Sequence, residues 1–135
     1  MKDRDELLLQ LRPQIESAVV QASTLPDEQF QNLTLRPVIL LQNDLLLEAF
    51  RNYVQKHKNV FYDMSIEKRM AYIENAVQKD MKFRNSLKGM IIGQFTLKEY
   101  SYYITNSSAL NKCMMDLVKN RLQSNIQLLD KLSAV

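Results

Sequence analysis

The sequence predicts an all-α, single-domain bundle of five to seven helices over residues 1–135, arranged around a central apolar helix at about residues 35–57. Three observations predict it. Apolar residues recur at intervals of three and four along most of the chain, the period of a helix with a buried stripe. Nothing offers a pair of strands: Met90-Ile91-Ile92 is strand-like in residue type but has no partner. Two glycines and three prolines are the only strong breakers in 135 residues. A chain of this length buries roughly two-thirds of the surface its unfolded form exposes, so it needs no staples. Its 46% apolar and 24% charged residues are a globular composition.

Residues 4–24 carry a first stripe, Leu8, Leu11, Ile15, Val19 and Ala22, and Pro13 predicts a kink or a fresh start within it. Thr24-Leu25-Pro26-Asp27-Glu28 opens a short helix reaching Leu33, because proline suits an early helical position and acids suit the positive end. Thr34 is the expected N-cap of the central helix, with Pro37 in its first turn. That helix runs to about His57 and carries apolar residues on several sides. After a connector at 58–63, Ser65 caps a helix with the stripe Ile66, Met70, Ile73 and Val77. Continuing that stripe would bury Asp80 and Arg84, so the helix ends or bends near Asp80. Phe83, Leu87, Met90 and Ile91 form the next stripe. Thr96-Leu97-Lys98-Glu99 is a capping box opening a short helix. Asn106-Ser107-Ser108 restarts a final helix to about Leu132, with Leu110, Met114, Leu117, Val118, Leu122, Leu129 and Leu132 inward.

Both glycines, Gly89 and Gly93, fall in one apolar segment. Gly93 is the expected helix terminator in the left-handed conformation favoured just past a helix end, and Gly89 the point where a neighbouring helix comes close. Gly89-x-x-x-Gly93 lacks the clustered glycines and Lys-Ser/Thr of a phosphate-cradling loop, and its charged flanks do not suit a membrane dimerisation motif. No apolar run approaches membrane-spanning length. The first residues are too charged, and Leu7-Leu8-Leu9 too short, for a signal peptide. The one cysteine, Cys113, forms no internal disulfide and fits a reducing cytosol, so a cytoplasmic protein is expected.

Chemistry is sparse. His57 is the one imidazole, between two lysines, and is read as a solvated helix-end residue rather than a catalytic base. One histidine and one cysteine cannot build a structural zinc site, and no paired Glu-x-x-His element is present, so no metal or other cofactor is expected. Cys113, spaced with Leu110 and Leu117, is read as a near-core hydrophobe. Asp44 and Glu48 are read as an exposed helix edge. Residues 1–28 are net acidic, while 66–88 and 111–135 are net basic, which suggests complementary packing of one end on the other. The basic stretch at 79–88 (Lys79, Lys82, Arg84, Lys88) raises a nucleic-acid reading, but the following helix offers tyrosines where a reader helix would offer arginine, asparagine or glutamine.

The better interface or pocket candidates gather around the glycines: Arg84, Lys88, Gly89, Gly93, Phe95, Tyr100 and Tyr103. Helical spacing puts Tyr100 and Tyr103 on one face and Tyr102 on another. Such aromatics serve as core or as interface. Along the final helix, Met115, Val118, Leu122, Asn125, Leu129 and Leu132 follow a 3-4 spacing whose asparagine could set register in a dimer, though the same stripe packs equally well inside a monomer.

The segment Phe83-Arg84-Asn85-Ser86-Leu87-Lys88-Gly89-Met90-Ile91-Ile92-Gly93-Gln94-Phe95-Thr96 with Glu99-Tyr100, together with Thr34-Leu35-Arg36-Pro37, Leu41-Gln42-Asn43-Asp44 and Asn106-Ser107-Ser108-Ala109-Leu110-Asn111-Lys112, resembles a family of small, functionally uncharacterised, all-helical bacterial proteins. Some of its members carry a glyoxalase label. The resemblance spans nearly the whole chain. It brings no metal ligand to any residue here, because glyoxalase-type enzymes hold a divalent metal through His and Glu on β-rich modules.

The function expected from the sequence is a non-catalytic interaction or structural module acting as a homodimer or partner-binding bundle. A small-ligand binder or enzyme with a pocket near Gly93, Tyr100 and Tyr103 is the alternative. A nucleic-acid-associated protein using 79–88 stands third.

Overall fold

The computed structural model describes residues 2–15 and 25–130. Taking 26–41 as one rod, these residues form seven helical rods and two 3-10 turns, with no strand among them. The first rod, α1 (Arg4–Leu11), is capped by Asp3, whose carboxylate accepts from the Glu6 N–H at 2.9 Å. It stops before Pro13, which disfavours helix at the residue preceding it. Its expected apolar stripe is not a buried one: α1 buries no residue, and Leu11 is 62% exposed. Val19 and Ala22 lie outside the described residues.

The second rod begins as α2 (Pro26–Phe30), widens into a π turn at Gln31–Leu35, and continues as α3 (Arg36–Leu41). Thr34 therefore caps nothing. It is buried inside the rod, and no new start is needed there. Proline 37 supplies the physical reason. In a regular α-helix its ring would strike the carbonyl four residues back. Here the Arg36 N–H reaches five residues back to the Gln31 carbonyl, and the wider turn gives that ring room.

The central helix is also divided. Gln42 leaves helical geometry at φ −88° and ψ 6°, separating α3 from α4 (Asn43–Lys56). Its side-chain amide donates to the Met90 carbonyl at 2.9 Å, tying the break to a helix far along the chain. Leu35, Val38, Leu46, Phe50 and Val54 are almost wholly buried, as a core helix requires. Leu40 and Leu45 are not, at 36% and 47% exposed, so burial does not extend all round it.

After α4, Lys58 and Asn59 turn the chain with positive φ, and a 3-10 turn at Val60–Asp63 buries Phe61. Ser65 caps α5 (Ile66–Lys79) as expected, and Ile73 and Val77 are buried, while Ile66 at the stripe's start is exposed. Asp80 then breaks the chain and caps α6 (Met81–Ile92). The capping box holds at α7 (Leu97–Tyr103). The last helix, α8 (Ser107–Ser124), is shorter than expected. Asn125 ends it by donating to the Arg121 carbonyl at 2.8 Å, and a 3-10 turn at Ile126–Leu129 follows. Leu132 lies outside the described residues.

Helix α8 is the spine, packing against α4, α5 and α6. Met115, Val118, Leu122 and Leu129 are buried inside this one chain, so that stripe offers no seam to a second copy. Two ring clusters fill the core. Phe50 meets Tyr53, Phe61, Tyr72 and Phe83, and Phe30 meets Phe95 and Tyr102. No helix among the described residues is long and apolar enough to cross a membrane.

Candidate functional site

The α6–α7 junction gathers much of the polar bonding that ties distant segments together. Gly93 occupies the C-cap of α6 with φ −60° and ψ −15°, so the left-handed conformation expected of it is absent. The reason lies in how the terminal carbonyls are satisfied. A left-handed cap folds backbone N–H groups back onto them. Here the Gln94 and Phe95 N–H groups close onto the Ile91 and Ile92 carbonyls at 3.0 Å, a tightened turn that needs no left-handed residue, and the α1 segment supplies side-chain donors to the carbonyls that follow. Arg4 donates to the Phe95 carbonyl at 2.9 Å and the Gly93 carbonyl at 3.1 Å, and Arg12 donates to the Gln94 carbonyl at 2.7 Å. Asp5 closes the same contact from the other side, accepting from the Leu97 N–H at 3.2 Å. Gly89 does not admit a close neighbour either, since a Cβ built on it meets nothing within 4 Å.

Glu99 is the anchor of this junction. Its carboxylate accepts from the Thr96 N–H at 2.8 Å, completing the capping box, and from the Thr34 hydroxyl at 2.7 Å. Both oxygens also accept from the Arg12 guanidinium at 2.5 Å. Burial pushes the Glu99 carboxyl up, but the bonds from Arg12, Thr34 and Thr96 outweigh it and hold the group below its ordinary range. A bidentate pair fixes orientation as well as charge. The π turn, α1 and α7 thus meet on one carboxylate.

The sequence-selected residues separate into three groups. Gly93, Phe95, Tyr100 and Tyr103 belong to the junction, Gly89 stands open on α6, and Arg84 and Lys88 lie elsewhere on α6. Phe95 and Tyr103 are buried, their ring centroids 5.7 Å apart, and Tyr103 donates to Asn111 on α8. Tyr102 donates to Asp27 at 2.5 Å, and that bond pushes its phenol up to about 12. Tyr100 is different. It lies on an outer face of α7 with Leu97 and Ile104, three apolar side chains 70%, 46% and 56% exposed for Leu97, Tyr100 and Ile104.

The basic residues at 79–88 do not form one face. Arg84 donates to Gln78 at 2.7 Å, and Gln78 in turn donates to Asp116 on α8 at 2.8 Å. Lys82 instead lines a cleft between α4 and α6, on the other side of its helix. Nor do the oppositely charged chain segments simply attract. The acidic N-terminal segment docks chiefly through its two arginines.

That cleft, of about 610 Å³, was not legible as a site in the sequence. Tyr53 stands at its centre, its ring stacked between His57 at 4.1 Å and Phe83 at 4.3 Å. Its hydroxyl donates to Asp80 at 2.9 Å. Burial and the neighbouring Asp80 carboxylate push the Tyr53 phenol well up, which keeps its proton in place and makes it a poor acid. The Tyr53 hydroxyl and the Phe83 N–H hold Asp80 below its ordinary carboxylate range. The His57 Nδ1 lies 2.7 Å from the Tyr53 carbonyl, an acceptor, so this nitrogen carries the proton. Two features of the sequence border it, the i,i+4 spacing of Tyr53 and His57 and the misfit of Asp80 in the α5 stripe, but neither by itself marks a cleft.

No protein family, curated protein or solved structure matches the chain. Among the described residues no three His, Cys, Asp or Glu stand together as a metal site would require. Cys113 packs half-buried against the core, and burial pushes its thiol up, away from the reactive thiolate form.

Proposed function

We infer that the chain is a non-catalytic interaction module whose partner is a second copy of itself, seated on the outer faces of α7 and α1. One observation carries the reading: Leu97, Tyr100 and Ile104, at i, i+3 and i+7, leave 70%, 46% and 56% of their surfaces in solvent. A helix with apolar residues at that spacing is built to cover them. The Asp5 and Arg12 bonds hold α1 beside α7, and its Leu7 and Leu11 are themselves 50% and 62% exposed. The α7 face alone is too small for a stable pair, which needs about 800 Å² from each partner, and the α1 leucines supply further apolar area.

Charge favours a like partner. Exposed Asp3 and Glu6 on the α1 side and exposed Lys98 on the α7 side put both signs at the rim of one surface. A two-fold contact sets such a surface against itself, acid to base. The test is sedimentation equilibrium of the wild type and of the double variant Leu97→Glu, Tyr100→Glu. Wild-type mass rising toward twice the monomer with concentration, and lost in the variant without change in the circular dichroism spectrum, is the expected result. A wild type that stays monomeric to millimolar concentration overturns the reading.

A further inference from the structure

We propose that the cleft between α4 and α6 is a binding site for a small, planar aromatic carboxylate. Its volume, about 610 Å³, is in the range of small-molecule sites. Leu45, Ala49, Phe83 and Met90 give it an apolar lining, and exposed His57, stacked on Tyr53 by one face, offers its other face as a flat wall. A flat ring fits such a wall by offset stacking.

The charges select the other half of the ligand. Two acids border the cleft, and both are already engaged: Glu48 pairs with Arg51, and Asp80 accepts from the Tyr53 hydroxyl and the Phe83 N–H. Two lysines border it as well, Lys56 and Lys82, and neither takes part in an ion pair among the described residues. Asp80 keeps its negative charge, since the donors bonded to it are neutral, but two ammonium groups against one uncompensated carboxylate leave the cleft net positive. An anion meets two ammonium groups there without displacing an existing partner. Tyr53 and Asp80 position the ring wall and are not needed as ligand contacts.

Titration calorimetry and amide NMR of the full chain, with 1-naphthoate and its neutral counterpart 1-naphthalenemethanol as probes, test this. The expected result is naphthoate binding with a Kd below about 1 mM and shifts confined to α4 and α6. The double variant Lys56→Met, Lys82→Met should weaken naphthoate about tenfold or more while changing the alcohol by less than about twofold. Ser86→Phe, an exposed position that lines the cleft, should fill it and abolish binding of both with the circular dichroism spectrum unchanged. Absence of binding at 1 mM, equal affinity for the two probes, or naphthoate binding that survives Ser86→Phe would each overturn the proposal.

Discussion

Gly93 and Gly89 show how the same residue type acts differently one turn apart. At Gly89, inside α6 and open to solvent, glycine contributes only backbone freedom, so Gly89→Ala should stabilise the fold by about 1 kcal/mol in urea unfolding. At Gly93 a Cβ would lie 3.1 Å from the Gly89 carbonyl, so Gly93→Ala should gain less than Gly89→Ala. Equal gains at both sites would show that the contact is harmless. Glu99 gives the second residue-scale expectation. Its folded-state pKa is lowered, so its contribution is complete above its ordinary value of 4.5 and fades as pH falls below that. Glu99→Gln should cost about 2 kcal/mol at pH 7, and the gap from wild type should close as pH falls below 4.5. A gap that is constant with pH would contradict this. Ser65, Thr96 and Glu99 were legible as capping residues because a cap is made within four residues. The Gly93 turn was not legible because Arg4, which donates to its carbonyl, comes from more than eighty positions away.

The helical elements divide by whether they are specified locally or by neighbours. The lengths of α5, α6 and α7 follow from nearby signals: a cap residue, a stripe, and the charged residue that does not fit the stripe. Asp80 is the clearest case, because the misfit that marked it in the sequence is a helix break in the fold. It caps α6 and holds the Tyr53 hydroxyl at once, so Asp80→Ala should lower the melting temperature more than Ser65→Ala, which removes a cap alone. Equal losses would mean the Tyr53 bond contributes nothing. The π turn before Pro37 and the break at Gln42 were not legible. Both are adjustments to groups that periodicity does not register, a ring without an N–H in one case and the Met90 carbonyl on α6 in the other. The docking of α1 escaped for a related reason. Its inward contacts include Arg4, Asp5 and Arg12, which a hydrophobic pattern counts as outward.

At the scale of the molecule, the core and the surface give opposite impressions. Inside, the bundle is closed: the α8 stripe that could have served a coiled-coil partner is spent on its own neighbours. Outside, α7 and α1 carry exposed apolar side chains, and that contrast among the described residues is why we propose a second copy there rather than along α8. The all-α class and a core rich in Leu, Phe and Met were fully legible, because burial patterning is a property of the whole chain. The α7 surface was legible only in part, through Tyr100, since spacing alone does not say which side of a seven-residue helix meets the core. The α4–α6 cleft was not, because its lining comes from two helices whose crossing no local pattern fixes. The most direct test of the central claim is isotope-filtered NMR on a mixture of labelled and unlabelled chains. Cross-peaks between the Leu97 or Ile104 methyl groups of one copy and the Tyr100 ring of another are the predicted result. Intermolecular cross-peaks that map elsewhere, or none at concentrations where the wild type is fully folded, would contradict it.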